Sequence, residues 1–172
     1  LEGFVLCNDA SLTVGDPTEI ALVKLGDLHH LQKEFLEKRY PRVYEIAFDS
    51  KRKCMTTQHV GPNGQYRSFT KGSPAVLIGN CSHILLNGSV IPLTNAKRDD
   101  ILCACREMSS KALRVLALAM KQEHGKSNLE TGLIFLGLVG MLDPLRPEAA
   151  PAVDTFKQAG VRTVMITGDQ KD

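Results

Sequence analysis

Apolar residues recur at helical spacing in the N-terminal part of the chain. Pro17-Thr18-Glu19 opens one predicted helix, which ends near Gly26, because proline followed by glutamate is typical of a first helical turn. Asp16 stands where its carboxylate can accept the free amide protons of that turn. A second helix is predicted from Leu28 to about Lys38, where apolar residues keep helical spacing until Pro41 prevents continuation.

From Val43 onward the pattern changes to short β-branched and aromatic runs separated by turn residues, which predicts strands. Asn87-Gly88 is a strong hairpin signal between two of them. The sum is an α+β fold, an antiparallel β-sheet flanked by helices. Strands are predicted at Val43–Phe48, Met55–Val60, Tyr66–Thr70, Ile84–Leu86, Val90–Ile91, Val115–Met120 and Leu133–Met141, and helices at Ser73–Gly79 and Thr94–Ser110.

The C-terminal part has a different pattern. A predicted helix, Glu148–Gln158, is followed by Gly160 and by a predicted buried strand, Val161–Ile166. Thr167-Gly168-Asp169 comes directly after that strand. This order is half of a βαβ unit whose other strands are absent. Because the chain also begins with Leu1 rather than methionine, we interpret it as a fragment.

Composition and charge exclude several classes of protein. The 172 residues are 43% hydrophobic and 23% charged, with a formal net charge of +2, which is typical of a globular protein and gives no electrostatic case for binding nucleic acid. The longest apolar run, Leu133–Leu142, contains two glycines and is about half as long as a spanning helix. The five cysteines form no CxxC and the histidines no HExxH, so we expect buried or surface thiols in a reducing compartment and no metal site.

A nucleotide site in this chain would have to form without a glycine-rich phosphate-binding loop. No GxxxxGK[ST] loop and no GxGxxG after a strand occurs, so aromatic stacking and the charges of lysine and arginine would have to hold the ligand. Phe48 precedes a polar run that contains Lys51, Arg52 and Lys53, which brings an apolar ring and three cations to one sheet edge. The alternative is that Phe48 belongs to the core and the basic run is a solvated turn.

Four short strings together resemble the nucleotide-binding domain of P-type cation-transporting ATPases, most closely the type II, calcium-pump-like branch. Their order and spacing cover nearly the whole chain. The resemblance divides it into a nucleotide-binding domain at 1–142, a hinge at 143–147 and part of a phosphorylation (HAD-like) domain at 148–172. The strings are Gly15–Glu19, Phe48–Met55, Lys71-Gly72-Ser73-Pro74, and Gly140–Arg146 with Ile166–Asp169.

The resemblance assigns an ATP-binding role to residues in the first three strings and to one strand residue. It implies that Phe48 stacks on adenine, that Lys53 lines the same pocket with Arg52 nearby, and that Glu19, beside Thr18, accepts a hydrogen bond from the adenine amino group. Without it, Glu19 is a carboxylate that favours the positive end of a helix. Two cations, Lys71 and Arg114, complete the set, and the resemblance implies that Arg114 reaches the phosphates. Without the resemblance, Lys71 would be an exposed lysine at a strand end and Arg114 a surface residue of a strand.

The fourth string carries the hinge and the phosphoryl site of the family. Asp143 and Arg146 match the hinge, where Leu145 replaces the usual second proline. Thr167 matches the residue that hydrogen-bonds the transferred phosphoryl group, and Asp169 one that assists near the metal. Ser73 and Ala75 depart from the family's Lys-Gly-Ala-Pro-Glu, so no glutamate follows Pro74.

The family's nucleophile string, Asp-Lys-Thr-Gly-Thr, and its magnesium-holding Thr-Gly-Asp-Gly-x-Asn-Asp do not occur in the chain. We therefore expect the fragment to bind ATP without hydrolysing it, with Mg²⁺ ligands mostly outside it. The parent would be an ion-translocating membrane ATPase, with calcium favoured by overall likeness. The fragment would be soluble and work at the cytoplasmic face of the membrane, with the phosphorylation, actuator and transmembrane domains as partners. The exposed apolar tail, Pro147–Asp172, would promote self-association.

Two other readings stay open at the level of sequence. A phosphatase of the haloacid dehalogenase type would also suit the Thr-Gly-Asp string, although the chain has no Asp-x-Asp-like nucleophile strand. A non-catalytic adaptor with the same fold but no ligand is the other.

Overall fold

The fold is a seven-stranded sheet with helices on both faces. The structure, a computed structural model, describes residues 1–122, 125, 127–142, 146–164 and 166. Its helices are α1 (Glu2–Leu6), α2 (Pro17–Leu28), α3 (Lys33–Arg39), α4 (Pro74–Asn80), α5 (Asn95–Ser110) and α6 (Ala149–Gln158). Its strands are β1 (Arg42–Asp49), β2 (Cys54–Val60), β3 (Tyr66–Gly72), β4 (Cys81–Leu86), β5 (Ser89–Pro92), β6 (Arg114–Lys121) and β7 (Leu133–Met141).

The strand order in the sheet is β1-β2-β3-β6-β7-β4-β5. Every neighbouring pair is antiparallel except β4 and β7, which run parallel. The β4–β5 hairpin turns at Asn87-Gly88, both with positive φ, as the sequence predicts. The α+β prediction is confirmed, with one parallel pairing that the sequence did not indicate.

Two hydrophobic cores lie on opposite faces of the sheet, because successive strand residues alternate between faces. Cys54 and Ala117 face the core under α4 and α5, while the adjacent Met55 and Leu118 face the core under α1 and α2. The second core also holds Phe4, Leu6 and Leu22 from these helices. Strands β2, β3 and β6 therefore carry buried side chains on both faces of the sheet.

The boundary between α2 and α3 differs from the prediction. Gly26 does not end a helix: it lies inside α2, where a Cβ would overlap the Val5 side chain of α1. The helix ends two residues later at Leu28, and His30, just beyond its C-cap, has a left-handed φ of 62°. The second helix begins at Lys33 rather than near Leu28. The apolar spacing gave the wrong start for the second helix, because it counted Phe35 as a buried position and Phe35 is exposed.

Helix α1 was not predicted. Its residues Gly3 to Leu6 are all buried, so no polar face marks the helical period in the sequence. In contrast, the cap of α2 is confirmed, since the Asp16 carboxylate accepts the Thr18 amide proton at 2.9 Å and Pro17 occupies the first helical turn.

The chain divides into two compact units, Leu1–Met141 and Leu142–Asp172. In the second unit α6 confirms the predicted helix, but the predicted buried strand at Val161–Ile166 is wrong for the residues described. Residues 161–164 and 166 are exposed and form no strand; the Val161 amide proton is donated to Phe156 O of α6 at 2.8 Å instead of to a neighbouring strand. Among the described helices, none has the length and hydropathy to cross a bilayer.

Candidate functional site

A cavity of about 430 Å³ opens at the sheet edge where β1 turns into β2. This volume lies in the usual range for small-molecule sites. Five separate elements supply its walls, and five of the predicted site residues are among the lining residues. The lining residues are Asp16, Thr18 and Glu19 from the start of α2, Phe48 from β1, Met55 from β2, Lys71 and Gly72 from β3, and Arg114 and Leu116 from β6.

An ion pair lies in the wall of this cavity. Lys71 Nζ is 2.5 Å from Glu19 Oε1, and the two side chains are only 7% and 17% exposed. The lysine is therefore not the exposed strand-end residue of the alternative interpretation. Since a buried ammonium is costly without an anion, Glu19 supplies the charge partner that the sequence had suggested a nucleotide would provide.

Phe48 is the aromatic residue in the lining. Its side chain is 63% exposed, so it does not belong to the core, which removes the alternative for this residue. Exposure of a whole phenyl ring beside buried Met55 is unfavourable in water and suits a planar ligand that covers the ring. The cavity thus combines an apolar platform with two cations, Lys71 and Arg114.

Arg114 opens β6 and reaches across to α2. Its Nη1 donates to Thr18 Oγ1 at 3.1 Å, while the residue as a whole stays exposed. Leu116, two residues further, faces the same side of the strand and lines the cavity. Leu116 was not among the predicted site residues, although its period-2 relation to Arg114 would have identified it.

Gly72 controls how closely β3 approaches the turn between β1 and β2. A Cβ at this position would overlap the Lys53 carbonyl oxygen, and that same oxygen accepts the Ser73 amide proton at 2.9 Å. Lys53 itself has a φ of 53° and an exposed side chain that is not among the lining residues. The role of the Lys53 side chain in the pocket therefore stays a prediction. Its carbonyl oxygen lies beside Gly72, which lines the cavity.

Replacing Gly72 with alanine is expected to lower the free energy of unfolding by about 1–3 kcal/mol, because the added methyl forces two backbone segments apart. Urea denaturation followed by far-UV circular dichroism measures it. Gly79→Ala is the matched control: its Cβ would meet open space in α4, and we expect a gain of about 0.5–1 kcal/mol. Equal stability of the two variants would contradict the close approach at Gly72.

Arg52 lies outside the cavity lining. Its Nη1 is 2.5 Å from Glu130 Oε1, and the same carboxylate oxygen accepts from Thr56 Oγ1 at 2.9 Å. Arg52 thus ties the turn after β1 to the segment between β6 and β7. Its predicted place near the nucleotide stays a prediction, and no pattern in the sequence indicated Glu130 as its partner.

Most residues of the predicted hinge and phosphoryl site lie outside the part of the chain that the structure describes. Asp143, Thr167 and Asp169 lie outside the described residues. Arg146 belongs to the second unit, where it is exposed and its carbonyl oxygen accepts the Ala149 amide proton at 2.9 Å. The hinge role of residues 143–147, and the identity of residues 148–172 as part of a phosphorylation domain, stay predictions.

The cysteines behave as ordinary thiols. All five are free, and Cys7, Cys54 and Cys81 are buried. Burial, and then the nearby Glu130 carboxylate, raise the pKa of Cys54 to about 11, and burial raises the pKa of Cys81 to about 12. Such thiols are protonated near neutral pH and unreactive. Across the described part of the chain, no group of three or more metal-binding side chains occurs.

Comparison with known sequences identifies the fold that carries this cavity. Residues 3–148 match the family model described as "P-type ATPase, cytoplasmic domain N". The chain belongs to this family. The resemblance carried by the four strings is confirmed, and so is the predicted cytoplasmic location of the domain.

Individual relatives agree with the family match. The chain is 49% identical to calcium-transporting ATPase 1 of Bacillus cereus, over 100% of this chain and 20% of that protein. It is 39% identical to calcium-transporting ATPase 1 of Lactococcus lactis, over 99% and 20%. It is 36% identical to the endoplasmic reticulum-type calcium-transporting ATPase 2 of Arabidopsis thaliana, over 80% and 15%. This N domain therefore spans about one fifth of the length of the first of these relatives.

Proposed function

We propose that this N domain binds ATP in the cavity between α2 and the sheet edge. The observation that carries the proposal is the exposed ring of Phe48 in the wall of a cavity that also holds Glu19, Lys71 and Arg114. These groups supply a stacking platform, a hydrogen-bond acceptor and two cations. Groups of these kinds bind a purine nucleotide, because every base has a face that stacks on an aromatic ring and its phosphates attract cations.

The base would lie on the Phe48 ring, with its edge toward Glu19. Adenine carries an amino donor where guanine carries a carbonyl acceptor, so an ionised carboxylate favours adenine and repels guanine. Stacking on a protein aromatic contributes about 1–3 kcal/mol per base. The buried Lys71 would neutralise the Glu19 charge behind the base.

The phosphates would extend toward the cations at the mouth of the cavity. Arg114 is exposed there with one nitrogen on Thr18 Oγ1, which leaves other guanidinium donors for phosphate oxygens. Lys53 and Arg52 belong to the same proposal with weaker support, since neither lines the cavity. Ser73, where the family has alanine, adds no charge to this region.

ATP would enter as its magnesium complex, with metal ligands mostly outside this chain. The lining carboxylates fit a magnesium role poorly, because Asp16 caps α2 through Thr18 and Glu19 pairs with Lys71. In the full-length protein we propose that the domain presents the γ-phosphate to an aspartate outside residues 1–172. Asp143 and Arg146 would act in the hinge, and Thr167 and Asp169 at the phosphoryl site.

We propose further that the parent is a calcium-transporting membrane ATPase, as the names of the relatives state for those proteins. Its phosphorylation, actuator and transmembrane domains are then the partners of this domain. The isolated chain would bind ATP without hydrolysing it. Self-association through the exposed apolar residues of the second unit, among them Phe156 and Val164, is part of the same proposal.

Nucleotide titration of the ¹⁵N-labelled chain tests the site. We expect millimolar ATP to shift the backbone amides of Glu19, Phe48, Lys71 and Arg114. Adenosine is expected to shift Phe48 and Glu19 but not Arg114, and inorganic triphosphate to shift Arg114 but not Phe48, because base and phosphates contact opposite ends of the cavity.

Two results would contradict the proposal. Saturating ATP that leaves the amides around Phe48 and Lys71 unmoved would exclude the cavity as the site. Equal shifts with GTP and ATP at the Glu19 amide would show that the carboxylate does not recognise the base.

A further inference from the structure

The peptide group that joins Asn8 to Asp9 lies directly behind the Glu19 carboxylate. Its N–H, on Asp9, donates to Glu19 Oε2 at 3.1 Å. Lys71 contacts the other oxygen, Oε1. The carboxylate is therefore anchored at both oxygens, by a side chain on one side and by a backbone amide on the other. Neither Asn8 nor Asp9 lines the cavity.

The carbonyl oxygen of this same peptide group accepts two charged hydrogen bonds. Lys33 Nζ donates to Asn8 O at 2.7 Å, and Arg42 Nη2 donates to it at 2.7 Å. The two cations come from different elements, α3 and β1, and converge on one oxygen. Lys33 also donates to Ala10 O at 2.7 Å, and its side chain is only 11% exposed.

The Asn8 side chain holds the segment in register with α2. It is fully buried; its Nδ2 donates to the backbone oxygen of Glu19 at 3.0 Å, and its Oδ1 accepts the Ala10 amide proton at 2.8 Å. The peptide group therefore has its direction defined from both sides: cations at the carbonyl end and the glutamate at the amide end.

Hydrogen bonds in series polarise one another. A carbonyl oxygen bound by two cations makes the N–H of the same peptide unit a stronger donor. We propose that the Asn8–Asp9 peptide group relays the charges of Lys33 and Arg42 to the Glu19 carboxylate, so that Lys33 and Arg42 are positioning residues for base recognition. This inference rests on the proposed adenine site.

For the ligand, the consequence is that the Glu19 carboxylate, the acceptor for the base, is held in a defined orientation. The terminal torsion of a glutamate is broad and roughly two-fold, so Lys71 alone fixes one oxygen but not the plane of the carboxylate. The Asp9 amide fixes the second oxygen and with it the direction of the lone pairs that face the cavity. Selectivity for an amino group over a carbonyl depends on that direction, whereas stacking on Phe48 does not.

The test compares Lys33→Met and Arg42→Met with wild type in titrations with ATP and with GTP. We expect the Kd for ATP to rise about threefold to tenfold in each variant, the worth of one hydrogen bond, and the Kd for GTP to change less. The ratio Kd(GTP)/Kd(ATP) therefore falls. Lys38→Met is the matched control on the exposed side of α3, and Lys33→Arg and Arg42→Lys, which keep the charge, should recover most of the ratio.

A second readout needs no nucleotide. The Asp9 amide proton is expected to move to lower frequency in Lys33→Met and in Glu19→Gln, because the hydrogen bond weakens from either end. Arg42→Met does not serve for this readout, since it also removes the ion pair of Arg42 Nη1 with Asp9 Oδ1 at 2.6 Å. Each methionine variant keeps the other cation on the Asn8 oxygen, so if one does not fold, the Kd(GTP)/Kd(ATP) ratio of the remaining one decides. A lower melting temperature with an unchanged Kd(GTP)/Kd(ATP) ratio and an unchanged Asp9 shift would overturn the relay and leave a structural role. A wild-type chain that binds no ATP at all would overturn the proposed site, while the Asp9 shift still tests the relay.

Discussion

Replacing Phe48 with alanine is expected to lower the affinity for ATP by about 5- to 150-fold, which corresponds to the 1–3 kcal/mol of one base stacked on an aromatic ring. The ring is exposed, so its removal opens no cavity in the core and should hardly change the free energy of unfolding. Isothermal titration calorimetry with ATP, together with urea denaturation of the same variant, separates the two effects.

Phe35→Ala is the control for this prediction. Phe35 lies on α3 with a comparable exposure of 67%, and it does not line the cavity. Loss of ATP affinity in Phe48→Ala but not in Phe35→Ala is the expected pattern. If both variants bind ATP as wild type does, the base does not stack on Phe48.

Replacing Glu19 with alanine is expected to destabilise the fold by about 3 kcal/mol, because removal of one partner leaves the buried Lys71 ammonium uncompensated. The melting temperature should fall accordingly. The variant should also bind ATP more weakly and lose its preference over GTP. Thermal unfolding followed by circular dichroism measures the first effect, and nucleotide titration the second.

Glu34→Ala provides the comparison for Glu19→Ala. Both glutamates lie in the first turn of a helix, where a carboxylate gains from the helix dipole, but Glu34 is exposed and forms no ion pair within the described part of the chain. Its loss should cost about 0.3–1 kcal/mol. A Glu19→Ala variant no less stable than Glu34→Ala would show that the pair with Lys71 contributes nothing.

Most elements of this fold could be predicted because their spacing is local. The hairpin at Asn87-Gly88 and the capped start of α2 each follow from a few adjacent residues. Two features depend on contacts between distant segments and could not be predicted in this way. Gly26 is small because α1 packs on it, and β4 pairs with β7 in parallel although long chain segments separate them.

The candidate site follows the same division. Phe48, Glu19, Lys71 and Arg114 were found by resemblance of short strings, and the structure brings all four to one cavity. What the strings could not indicate is the partner of each charge. Lys71 pairs with Glu19, and Arg52 with Glu130. Both pairs join residues that are far apart in sequence, where no local spacing rule applies.

The order of the strands has a consequence for how the site is assembled. Lys71 and Arg114 lie on adjacent strands, β3 and β6, yet after Gly72 the chain forms α4, the β4–β5 hairpin and α5 before β6 pairs with β3. Closing so long a loop is entropically costly and slow compared with forming the β2–β3 hairpin. The cavity is therefore a late product of folding: a chain still emerging during synthesis, or one interrupted within residues 73–113, would have the Phe48 turn and Lys71 in place but no phosphate-facing wall.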